Sequence, residues 1–153
     1  MILTFAPDII NSFTGNYERF SNFYPVLIQF DGLHFPSVEH AYVAAKTKDK
    51  MAKRMIANLA PDKAGKAKRL GRKFILRDDW EIIKLSVMKR CLMQKFLYLN
   101  FRTFLLETGT ATLIEGNHWH DNYWGDCSCE KCSDIPGQNH LGKILMKVRE
   151  KIR

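Results

Sequence analysis

Apolar positions alternate in short runs near the start of the chain and then settle into helical periods. Residues 2–5 predict a short strand. Residues 26–30 alternate loosely and are followed by Asp31-Gly32 and then Leu33-His34-Phe35. Asp-Gly between apolar runs predicts an antiparallel hairpin, because both turn residues accept a positive φ. Pro36-Ser37 closes that run, with Ser37 as N-cap and Glu39 in the first turn of a helix running to about Lys48. A second helix is expected up to Leu59, stopped by Pro61. A third lies between Pro61 and Leu70, with Gly71 as its C-terminal stop. Asp78 or Asp79 should cap a longer helix whose Leu85, Met88, Leu92, Phe96 and Leu99 recur every three or four positions. Asn100 is a candidate cap for a short helix ending at Gly109, and residues 112–115 read as a strand. Residues 116–137 form a long irregular segment, the kind that in compact domains usually carries function. A final helix begins near Asn139, with Leu141, Ile144, Leu145, Val148 and Ile152 inward. Without repeats or linkers, the pattern predicts one α+β domain over residues 1–153, mainly helical, with a small antiparallel β-hairpin.

Composition narrows the partners. The 153 residues are 46% hydrophobic, which suits a packed core and excludes a disordered chain. No apolar run reaches the roughly 18–20 residues of a membrane span. The N-terminus lacks a basic n-region and a small-residue cleavage site, so a cytoplasmic location is expected. Twenty-four Lys and Arg against sixteen Asp and Glu give a net charge of +8. That balance favours a nucleotide, a sugar phosphate or nucleic acid. The denser basic stretch at residues 63–77 reads equally as a solvated face or as a phosphate contact.

Several groups of residues could carry chemistry. On the helix that starts at Ser37, Glu39 and Lys46 are seven residues apart and lie within about 20° of each other, with Tyr42 on the same stripe. The opposite face holds Val38, Ala41, Ala44 and Ala45, small enough for close packing. The helix is either the wall of a site or a surface helix with its charges in water. Arg19, Asn22 and Phe23 fall in an aromatic-rich run that ends at Pro25. They suit base stacking and phosphate binding, or a core with polar caps. Gly137 to Gly142, centred on Asn139, opens the last helix, where free N–H groups can receive an anion. Glu115, Asp121 and Trp124-Gly125 lie in the long segment, and its carboxylates could stabilise a cation forming at a ribose carbon. Cys127, Cys129 and Cys132 fall within six residues. They are either packed free thiols or three ligands of a structural zinc completed by His118, His120 or His140. The zinc-deaminase signature is absent.

These segments, taken in order, resemble the NADAR family (NAD- and ADP-ribose-associated, also called YbiA-like). Phe20-Ser21-Asn22-Phe23-Tyr24-Pro25 resembles its Leu-Ser-Asn-Phe-Tyr-Pro motif. Ser37-Val38-Glu39-His40-Ala41-Tyr42 with Lys46 resembles its Ser-x-Glu-His-x-Tyr…Lys helix. Lys68-Arg69-Leu70-Gly71-Arg72, Asp79-Trp80, Lys95-Phe96, Thr108-Gly109, Leu113-Ile114-Glu115, Asp121, Trp124-Gly125 and Gly137-x-Asn139-x-Leu141-Gly142 continue the series.

The resemblance implies an N-glycosyl hydrolase acting on ribosylamino-pyrimidine phosphates, early riboflavin-pathway intermediates, or one removing ADP-ribose from modified guanine bases. It implies catalytic roles for Lys46, Glu39 and Asp121 around one cleft. Substrate contacts are expected at Arg19, Asn22, Phe23, His40, Tyr42, Trp124, Gly125 and Asn139. No cofactor is required for catalysis, and structural zinc is the one metal to expect. The partner is a phosphorylated ribosyl substrate, nucleotide-like or ADP-ribosyl, with nucleic acid entering only as a modified base and no membrane. Lys46 either attacks C1 as a neutral amine or binds phosphate while water attacks. A non-catalytic ADP-ribose-binding module and an RNA-binding zinc-knuckle protein are the competing classes. The Cys127–Cys132 insertion departs from the family pattern.

Overall fold

A computed structural model describes residues 6–153. The strand expected at residues 2–5 lies outside the described residues. The chain divides into two compact units, one of residues 21–97 and one of residues 6–20 with 98–153.

In the first unit, β2 (Ile28–Phe30) and β3 (Leu33–Phe35) form the expected antiparallel hairpin, with Ile28 opposite Phe35 and Phe30 opposite Leu33. Asp31 and Gly32 both take positive φ, 49° and 73°. Helix α1 (Val38–Ala45) starts where its cap predicts, since Ser37 Oγ accepts from the His40 N–H at 3.2 Å. It ends about three residues earlier than expected, at a C-cap on Lys46. Val38, Ala41, Ala44 and Ala45 are fully buried, so the small-residue face does pack closely. Helix α2 (Lys50–Ala57) is capped by Asp49, and a 3-10 turn at Pro61–Lys63 leads into α3 (Ala64–Gly71).

Gly71 is the last helical residue of α3 rather than the stop beyond it. A Cβ there would sit 2.7 Å from Val43 Cγ1, so glycine serves the approach of α3 to α1. Helix α4 (Trp80–Lys95) turns inward through Val87, Met88, Cys91, Leu92 and Lys95. Leu85 and Leu99, expected in its apolar row, are instead 38% and 78% exposed. Met88, Leu92 and Phe96 of that row are buried as expected, with Val87, Cys91 and Lys95 beside them, and Leu99 already belongs to the next helix.

The second unit carries α5 (Leu99–Leu106) and α6 (His140–Ile152), with β1 (Ile9–Ile10), β4 (Thr112–Leu113), β5 (Gly116–Asn117) and β6 (Asp126–Cys127). The α5 boundary residue is Tyr98 and the helix ends three residues before Gly109, so Asn100 lies inside it and is not its cap. The inward residues predicted for α6 are all buried. Strands β1 and β4 pair in parallel, as do β5 and β6. The sequence pattern did not predict these ladders, because two residues per strand are too few to show a period. Phe20 anchors an aromatic cluster here, 4.8 Å from Phe104 and 5.4 Å from Phe13 between ring centres. No helix of the described residues is long and apolar enough to cross a membrane.

Candidate active site

The capping of α1 determines what its polar stripe can do. Ser37 Oγ also pairs with His40 Nδ1 at 2.6 Å, and both residues are fully buried. Burial holds the His40 pKa below its ordinary value, against an opposing backbone interaction with Ala60. His40 was expected to touch substrate. It has no exposed surface, and its ring packs against the Ser37 cap.

Glu39, Tyr42 and Lys46 share one side of α1. Lys46 Nζ lies over the Tyr42 ring at 5.2 Å, and that ring tilts against Trp80 at 5.1 Å. Burial pushes the Lys46 ammonium below its usual value; Glu39 opposes this, while Lys68, Arg72 and Lys84 add to it. A half-buried lysine among other cations gives up its proton more readily than an exposed one. Phe23 is 42% exposed, with Lys68 Nζ over its ring at 5.9 Å and Gly65 beneath it. The Asn22 backbone carbonyl accepts from Glu39 N–H at 3.0 Å, and its side-chain amide donates to Met88 Sδ.

The long segment of the other unit is held mainly by directional bonds. Asp121 Oδ1 accepts from Tyr123 N at 3.1 Å and Trp124 N at 2.8 Å. Asn117 accepts from Asp121 N and donates to Asp121 O, fixing both sides of that residue. Trp124 and Tyr123 meet edge to face at 5.0 Å. Arg19, also in this unit, lies over the Phe104 ring at 5.2 Å.

The start of α6 was expected to be an open anion site, and it is closed. The N–H groups of Gln138, Asn139, His140 and Leu141 donate to the carbonyls of Asn122, Gly125, Tyr123 and Trp124. Asn139, left-handed at φ 50°, accepts from Glu115 N at 3.0 Å and donates to Leu113 O at 2.9 Å. Its side chain is a clip between α6 and β4. Gly125 is buried, and a Cβ on it would fall 2.1 Å from Glu115 O. Both residues were expected to bind substrate; here their backbone and amide groups serve the protein's own packing.

A family model described as the NADAR domain matches residues 11–153. The chain belongs to the NADAR family. It is 39% identical over 142 residues to the N-glycosidase Npun_R5314 of Nostoc punctiforme, a match covering 90% of this chain and 86% of that one. It is 35% identical over 147 residues to the N-glycosidase YbiA of Escherichia coli, covering 94% and 88%. The NMR structure of E. coli YbiA superposes with a TM-score of 0.79 at 34% identity, over 99% of this chain and 87% of that one. A Vibrio vulnificus protein named riboflavin biosynthesis protein VVA0006 is 37% identical over 141 residues, which are 90% of this chain and 36% of that protein.

This NADAR chain also gathers its three clustered thiols. His120, Cys127, Cys129 and Cys132 present donor atoms all within 4.8 Å of one another, a His/Cys3 cluster able to hold a metal ion. Of the three candidate histidines, His120 is the one that joins. Its Nδ1 lies 3.1 Å from Cys129 Sγ and 3.6 Å from Cys132 Sγ. Burial and the neighbouring thiols push Cys132 up to about 11.

Within the basic stretch of residues 63–77, Lys68 on α3 and Arg72 at its C-cap act electrostatically on Lys46. One feature escaped the sequence reading. Lys95 is fully buried, donates to Ser21 O at 2.8 Å, and is lowered by burial to about 7. Its spacing from Met88, Cys91 and Leu92 on α4 was the available signal.

Proposed function

We propose that this chain is an N-glycosidase that hydrolyses the ribose C1–N bond of ribosylamino-pyrimidine phosphates. The supporting observation is Lys46, depressed by burial and by three neighbouring cations, on one helical side with Glu39 and Tyr42. The names of the Nostoc, E. coli and Vibrio relatives agree with the reaction and the substrate class.

In this reading the ribosylamine opens to a C1 imine and neutral Lys46 Nζ adds to C1. The pyrimidine amine takes a proton, relayed by Glu39, and leaves with the C1–N electron pair. Water then hydrolyses the Lys46 imine, freeing ribose phosphate and restoring the amine. Lys68 and Arg72 hold the phosphate, and Phe23 offers a face to the base. Asp121 contributes its charge to turnover. No cofactor enters these steps, and the ion suited to the His120, Cys127, Cys129 and Cys132 donors is a structural Zn2+.

The test incubates the protein with ribosylamino-pyrimidine phosphates and, separately, with ADP-ribosylated guanine nucleotides, and follows released sugar by mass. Release from the first substrate alone supports the reading. Release from the second alone moves the assignment to ADP-ribose removal. Borohydride added during turnover should fix ribose phosphate on Lys46, and an adduct confined to Lys68 or Lys95 would refute attack by Lys46.

A further inference from the structure

The segment from Cys127 to Pro136 has almost nothing to hold it down. In residues 128–136 only Cys129 and Cys132 are withdrawn from solvent, and Ile135 is 56% exposed. A ten-residue excursion with no apolar anchor does not repay its ordering entropy by burial. Its backbone is nonetheless turned in a definite way. Ser128 N donates to Asn117 O, Cys132 N to Cys129 O, and Ile135 N to Cys132 O, each at 2.9 Å. The two inward side chains are both thiols, and they converge on Cys127 and on His120 from the other arm of the segment.

The donor set and spacing fit a thiophilic divalent ion. Tetrahedral Zn2+ with bonds of about 2.0–2.3 Å sets donor separations near 3.5–3.8 Å. The cluster, with separations from 3.1 Å to no more than 4.8 Å, brackets that range. The His120 backbone N–H donates to Cys127 Sγ at 3.3 Å, which ties the two arms together. His120 takes φ 67°, an uncommon conformation for a residue with a Cβ, and directly precedes Asp121. His120 and Cys127 also flank residues 121–126, so an ion joining them closes the short segment that carries Asp121, Trp124 and Gly125.

We infer that a zinc ion at His120, Cys127, Cys129 and Cys132 replaces the missing core of the 127–136 excursion and, through His120, fixes the backbone register of the Asp121 turn. The effect on catalysis rests on the N-glycosidase reading; the effect on the segment does not. Bound metal orders the excursion and holds His120 in its left-handed conformation. Without metal the excursion opens, and the bonds of the Asp121 turn to Asn117 break more often because its tether on the outer side is gone.

The full chain, expressed with zinc, is tested by elemental analysis and by amide hydrogen exchange. About one zinc per chain is expected, because such sites bind tightly at neutral pH. Stripping the metal with a chelator should lower protection at Cys132, Ile135 and Asp121 about tenfold or more, with α1 and the second half of α6 unchanged. Added Zn2+ should restore it. Cys129→Ser, at the least buried of the three thiols, should show the same local loss while keeping the cooperative unfolding of the rest. Co2+ replacement should give the visible absorption of a tetrahedral thiolate site. Zinc below about 0.1 per chain overturns the inference. So does full protection of these amides after the metal is stripped. Because neither readout uses turnover, a chain with ordered metal and no glycosidase activity would keep this inference and remove the proposed reaction.

Discussion

The α1 wall and the 116–139 segment each present residues of the family motifs, and they are built on opposite physics. Helix α1 is pinned by close packing: Ala41, Ala44 and Ala45 are fully buried, and Val43 meets a glycine on α3. That packing gives Lys46 a half-dry setting among cations. The segment has few apolar contacts. It is held by side-chain amides and carboxylates that bond to backbone, by carbonyls that cap α6, and by clustered thiols. Packing tolerates changes at exposed polar atoms and resists changes in volume, whereas a directional network resists loss of any one partner. The same fold can therefore half-bury a charge in one region and tie a carboxylate into a turn in another.

The sharpest way to break this contrast is Lys46→Arg. The charge and much of the stem remain, but no imine can form, so turnover should fall about 10³-fold or more with melting temperature nearly unchanged. Retention of most activity would reduce Lys46 to a phosphate ligand. In the segment, Gly125→Ala places a Cβ against Glu115 O and its carboxylate. A cost of about 3 kcal/mol is expected in urea unfolding. A neutral result would mean that this backbone yields easily, against the directional picture.

Asp121→Asn keeps an oxygen for the Tyr123 and Trp124 N–H groups and removes the charge. Stability should hold while turnover drops about 10²-fold. An equal loss of both would show that Asp121 only builds the turn.

Lys95 tests how far packing can suppress a charge. Its folded pKa of about 7 lies below its unfolded value of 10.5, so above pH 7 the native state has released a proton that the unfolded chain still holds. Stability should therefore rise with pH from about 7 toward 10 and be lowest below 7, by roughly 2 kcal/mol between about pH 6 and 9. Lys95→Met should flatten that slope, stabilising most at the acidic end. Parallel slopes for the two proteins would show Lys95 charged throughout. Smallest is Ser37→Ala, which removes the α1 cap and the partner of His40 Nδ1. About 1–2 kcal/mol is expected, read from chemical denaturation. A larger loss would mean that α1 also depends on a directional network.

The chain's local chemistry was readable before any coordinates. Asp31-Gly32 specified the hairpin turn and Ser37 the α1 start, because each acts through its own residues and immediate neighbours. The common side of Glu39, Tyr42 and Lys46 followed from helical geometry alone. The Cys127, Cys129 and Cys132 spacing announced a thiol cluster, although only the fold selected His120 over His118 and His140.

What tertiary structure alone decided concerns burial and partners distant in sequence. His40 disappears into the core, Asn139 becomes a clip to residues 113–115, and the α6 start is filled by carbonyls of residues 122–125. Lys68 and Arg72 join Lys46. Sequence determines conformations whose energies are local: turns, caps and helical faces. Whether a polar group meets water, a substrate or another part of the chain depends on which surfaces pack together, and that is set by the sum of many weak contacts over the whole fold.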